Sequence, residues 1–257
     1  MQHPPLGSKS LPAVRAASAE IVRAALNDAY ATAIGSRRRD DPITTPSGGP
    51  AGNARLTAWT GLLLLVVSLA ECATLVSVRG LITVHILIGA FLLPLVMLKT
   101  LTTGWRITRY YLGSAAYRQA GPPPLLLRIL GPLVVLSGLA VLGTGLALIA
   151  LGPATFTPII TLAGYRVDAL TLHQGAFIVW LAATGLHVLV RTVPALQLAT
   201  GSRQHRAVAG ARRRASVLLG TVLIGVAVSV LVLQLSGHWT HGGGAFHRHD
   251  SGSSQTR

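Results

Sequence analysis

Five apolar runs, at about residues 56–78, 81–103, 127–151, 170–190 and 215–236, dominate the sequence and constrain its fold more than any other feature. Each is close to the ~20 residues that an α-helix needs to cross ~30 Å of hydrocarbon. One such run is compatible with the core of a soluble domain. Five of them, separated by basic loops in a chain that is 51% hydrophobic and 11% charged, point to lipid as the solvent. The expected fold is an all-α integral membrane protein, a five-helix transmembrane bundle. Its first run begins at Leu56, too late for a secretory signal peptide.

The basic residues set an expected orientation. Lys and Arg number seven in residues 1–55, one at Arg79, five from Lys99 to Arg128, one at Arg166, six from Arg191 to Arg214 and two in the tail. Alternate segments therefore carry eighteen against four. The positive-inside rule then places the N-terminus in the cytoplasm and the C-terminus outside. The formal charge of +15 is read as topology and attraction to anionic lipid, with no nucleic-acid partner. The expected location is multi-pass in a bacterial plasma membrane.

Three segments follow. Residues 1–53 form a cytoplasmic extension, with a moderately amphipathic helix over 12–34 and then a linker. Residues 54–236 form the membrane domain, in which Pro94 and Pro132 are expected to kink their spans. Residues 237–257 form a flexible external tail. The lone Cys72 excludes an intramolecular disulfide, and the absence of a C-x-x-C-H stretch excludes covalently attached haem.

Ionisable residues inside a bilayer are costly and mark function. His85 lies in the second span, and His173 and His187 lie in the fourth. Both spans run in the same direction, so His85 and His173 share a depth, three to five residues below the outer surface. Two imidazoles at one level on neighbouring helices suit axial ligation of a haem iron. Gly89 and Gly175 are read as leaving room for a porphyrin plane. The bland alternative is that the histidines hydrogen-bond neighbouring helices without a cofactor.

His187 follows His173 by fourteen residues, ~21 Å deeper and only ~40° away in azimuth. The corresponding position in the second span is Lys99, where a symmetric two-haem protein would carry another histidine. Lys99 and His187 are thus candidates for an inner haem, a quinone site, a propionate-pairing site or a structural layer. Glu71 is the carboxylate expected inside the hydrocarbon, near the His85 level. It suits proton acceptance from a quinol, orientation of an imidazole, or an interhelical hydrogen bond as the protonated acid.

The stretches HILIGAFLLPLVMLKTLTTGWRITRYYLGSAAYR, GPPPLLLRILGPLVVLSG and LTLHQGAFIVWLAATGLHVLV, across roughly residues 80–192, resemble bacterial b-type membrane cytochromes. More narrowly, they resemble actinobacterial membrane proteins related to cytochrome b561 and to membrane partners of molybdopterin oxidoreductases. The resemblance implies haem b, one copy with a second as a further candidate, and electron transfer between a quinone pool and a redox partner protein. It also implies axial ligation by His85 and His173, with His187 at the position of another ligand in two-haem members. Lys99 departs from that two-haem pattern.

Arg106 and Arg109, in the loop expected over Thr102–Tyr117, are candidates for pairing with propionates or a quinone headgroup, the alternative being a basic membrane anchor. In the tail, His238, His241, His247 and His249 form a weak transition-metal site by composition. The leading expectation is a membrane-integral b-type cytochrome carrying electrons between quinone and a partner. Whether it is itself an enzyme depends on that partner. The alternatives are a non-redox anchor or assembly subunit with structural histidines, and an outer-face metal reductase or metal-binding protein.

Overall fold

The computed structural model describes residues 11–34, 36, 41–44, 47–119, 125–162, 164–200 and 208–240. Helix α1 spans Leu11–Ala33, α2 Gly49–Thr74, α3 Ile82–Tyr111, α4 Ala115–Gln119, α5 Leu125–Leu151, α6 Ala169–Ala199, α7 Ala211–Leu235 and α8 Gly237–Thr240. Five of these helices are long and apolar enough to cross a membrane. The all-α, five-span architecture expected from hydropathy is the architecture observed.

The helices outrun the apolar runs. α2 begins at Gly49, α3 continues to Tyr111 and α6 to Ala199. Hydropathy marks where lipid begins, whereas helix ends are set by backbone chemistry. Gly48 and Gly49 take left-handed φ of 86° and 54° before Pro50, which suits a first helical turn. The stretch read as a loop over Thr102–Tyr117 is therefore mostly the last turns of α3, followed by a tight turn at Gly113 (φ 92°) and the short α4. Pro94 and Pro132 lie inside α3 and α5, and Pro194 inside α6.

The packing is ring-like. α2 packs against α3 and α6, and α5 packs against α6 and α3. α3 and α6 make at most marginal direct contact, so they face one another across the diagonal of a four-helix arrangement. α7 lies outside this ring, chiefly on α3. Small residues let it approach closely: a Cβ at Gly225 would come within 2.8 Å of the Phe91 ring, and the Ser229 hydroxyl reaches the Leu87 carbonyl at 2.9 Å.

Cross-links at the two ends fix the α2–α3 pairing. Asn53 donates to the Thr102 carbonyl at 3.0 Å at one end, and Thr74 meets His85 at 2.9 Å at the other.

The helix expected over 12–34 is α1, which packs against α6 and α5 and buries Ala29 and Thr32, while Val22, Leu26 and Tyr30 stay exposed. Between α5 and α6 the chain forms an antiparallel hairpin, β1 (Ile160–Leu162) and β2 (Tyr165–Val167), turning at Gly164 with φ 84°. Asp168 then caps α6, accepting from the Thr171 backbone N–H at 2.8 Å and its hydroxyl at 2.7 Å. These bonds hold its carboxyl below the usual range.

Candidate functional site

His85 on α3 and His173 on α6 project toward one another across the diagonal, with ring centres 6.4 Å apart and ring planes at 86°. Their shared level rests on the packing of α2, α3, α5 and α6.

 

Hydrogen bonds fix the state of both rings. The Thr74 hydroxyl gives its hydrogen to the Glu71 carbonyl at 2.6 Å, so at 2.9 Å from His85 Nδ1 it accepts. Glu71 Oε1 lies 3.0 Å from the same nitrogen. The Thr144 hydroxyl on α5 gives its hydrogen to the Ala140 carbonyl at 2.7 Å, and so accepts from His173 Nδ1 at 3.0 Å. This arrangement suits imidazoles that carry the hydrogen on Nδ1 and the lone pair on Nε2.

The glycines divide. Gly89 follows His85 by one turn, and a Cβ there would sit 3.2 Å from Glu71 Oε1, so it gives the carboxyl its place. Gly175 lies two steps of ~100° from His173 on α6, and a Cβ there would meet nothing within 4 Å. The glycine that does clear His173 is Gly145 of α5, where a Cβ would lie 3.3 Å from the ring.

A second polar layer lies deeper. Lys99 crosses from α3 to α2 and donates to the Thr57 carbonyl at 2.7 Å, past Gly61. His187 and Arg191 on α6 are close enough for their charges to interact with Lys99. Lys99 and His187 thus occur in one layer, as their spacing predicts. Trp180, seven residues from both His173 and His187, packs beside Gly138 between the layers.

The remaining candidates have other partners. Arg106 forms an ion pair with the buried Asp41 at 2.6 Å, and Arg109 lies over the Trp105 ring at 5.4 Å. His238 sits on α8 against Gly152, whereas His241, His247 and His249 lie outside the described residues. Among the described residues no group of three or more His, Cys, Asp or Glu side chains is placed to hold a metal ion.

Sequence reasoning missed Thr74, Thr144, Gly145, Thr57 and Gly61. The available signal was Gly143-Thr144-Gly145, a hydroxyl between two glycines in mid-span. Comparison with protein-family models, curated proteins and solved structures finds no match to this chain.

Proposed function

We propose that this chain is a membrane-integral b-type cytochrome, with haem held between α3 and α6 by His85 and His173, passing electrons between a quinone pool and a redox partner. The observation that carries the reading is the imidazole pair itself. The rings are 6.4 Å apart, a spacing at which His85 and His173 would hold one haem iron between them.

When bound, the haem supplies one-electron chemistry. The protein's part is to hold and tune it. Thr144 and the Glu71–Thr74 pair fix both rings by their Nδ1 hydrogens, which orients Nε2 and raises its basicity. Gly145 lets α5 approach the His173 ring. Glu71 Oε2 is buried without a partner, a polar atom that the protein alone leaves unsatisfied next to the proposed ligand.

Purified protein expressed with ample haem is expected to give a reduced-minus-oxidised spectrum of b-type haem. His85→Ala and His173→Ala are each expected to lose haem or turn it from low spin to high spin, and His187→Ala to leave that spectrum nearly unchanged. A colourless wild-type protein overturns the reading in favour of a non-redox anchor.

A further inference from the structure

Helices α2 and α7 start together and then part. A Cβ at Gly52 of α2 would come within 3.2 Å of Arg214 Nη1, and one at Gly48 within 2.7 Å of Val208. Arg214 ties the junction by donating to the carbonyls of Val208 and Ala209. Farther along, both helices pack on α3 and touch one another little, so a seam runs between them. Two hollows lie along it. The first, of about 320 Å³, has Leu56 and Trp59 on one wall and Arg214 and Leu218 on the other. The second, of about 410 Å³, lies between Val67 and Val230, with Phe91 of α3 also lining it. Val67 follows Leu56 by eleven positions, or ~16 Å of helix, close to the ~15 Å of hydrocarbon in one leaflet.

Charge is confined to one end of the seam. Arg55 immediately precedes the first apolar run and Arg214 the fifth. Arg55 follows Gly52 by three positions and precedes Trp59 by four, which puts it on their side of α2, and its Nε is buried without a hydrogen-bond partner among the described residues. Arg212 and Arg213 stand exposed in the first turn of α7, where the helix dipole favours anions and no side chain caps the helix. Guanidinium groups keep their charge in proteins. Among the described residues no carboxylate pairs with these arginines, and Asp41, just ahead of α2, is engaged by Arg106. We infer that the α2–α7 seam binds one anionic phospholipid, its phosphate at Arg55 and Arg212 and an acyl chain lying along the two hollows toward Phe91. Trp59, half-exposed at the mouth, suits the headgroup boundary. A zwitterionic lipid would bring a further cation to this mouth, and a quinone would bring no charge to it. The histidines of α3 and α6 do not line the seam, so the site is independent of the haem reading.

The test uses full-length protein in neutral detergent, titrated with phosphatidylglycerol or phosphatidylcholine that carries bromine, a tryptophan quencher, near the headgroup end of its acyl chains. Quenching by phosphatidylglycerol is expected to saturate at a mole fraction about tenfold below that of phosphatidylcholine. The saturable part is expected to vanish in Trp59→Phe. Arg55→Gln and Arg212→Gln are each expected to raise the half-saturating fraction of phosphatidylglycerol about tenfold, the effect of losing one charge-assisted hydrogen bond, and to leave the phosphatidylcholine curve in place. Arg212 is exposed, so its variant serves if Arg55→Gln does not fold. Ala215→Leu, which fills the first hollow, is expected to remove the saturable part with every arginine retained. Equal curves for the two lipids, an unchanged phosphatidylglycerol curve in Arg212→Gln, or a saturable part that survives Trp59→Phe overturns the proposal. So does equal saturation by a brominated chain that carries no phosphate.

Discussion

Thr144 on α5 accepts the Nδ1 hydrogen of His173 on α6 at 3.0 Å while passing its own hydrogen to the Ala140 carbonyl at 2.7 Å. A threonine commonly satisfies itself on its own helix. Here the same hydroxyl also decides which nitrogen of the neighbouring ring is free.

Thr144→Val keeps the shape and removes the acceptor. Loss of an outer partner of a ligating histidine typically costs 10–100-fold in metal affinity, so on the proposal that His173 ligates haem, haem retention is expected to fall about tenfold, read as the rate of haem transfer to an apo-globin acceptor. Unchanged transfer would show that the hydroxyl does not orient His173.

Gly225→Leu drives a side chain into the space of Phe91, where even a Cβ lies at 2.8 Å. Overpacking of this kind costs about 1–3 kcal/mol. A lower unfolding midpoint in detergent is expected, with the haem spectrum kept, because α7 lies outside the four-helix ring.

Asp168 is held below its usual range by the Thr171 backbone N–H. A depressed folded value means that its stabilisation is present above the unfolded carboxyl value of ~3.9 and is lost as pH falls through the folded value. Asp168→Ala is expected to cost about 1 kcal/mol near neutral pH, and its difference in midpoint from the wild type to close as the buffer is taken below pH ~4. A difference that persists undiminished in acid would exclude the cap as its cause.

Orientation is tested by labelling intact cells. In a Cys72→Ser background, Tyr165→Cys in the β1–β2 hairpin is expected to react with a membrane-impermeant thiol reagent, and Ser114→Cys after α3 to be protected. The reverse pattern would invert the topology drawn from the eighteen-to-four charge distribution.

The five spans were legible because hydrocarbon imposes a length and a composition at once. His85 and His173 were legible because charge-bearing groups are rare at that depth and both spans run the same way. Their partners were not, since a threonine in an apolar helix gives no sign of whether its hydroxyl serves its own turn or a neighbour. Arg106 pairs with Asp41, 65 positions away, a contact that no local pattern announces. The end of α3 was obscured because its last turns are basic and aromatic, so hydropathy stops before the backbone does.

The diagonal placement of α3 and α6 also orders biogenesis. His85 enters the membrane with the α2–α3 hairpin, already engaged by Glu71 and Thr74. The opposite imidazole arrives only after α5 and the β1–β2 hairpin have been made. The nascent chain therefore carries one imidazole of the pair over the 88 positions that separate His85 from His173, and the two first meet when α6 is inserted beside α2 and α5.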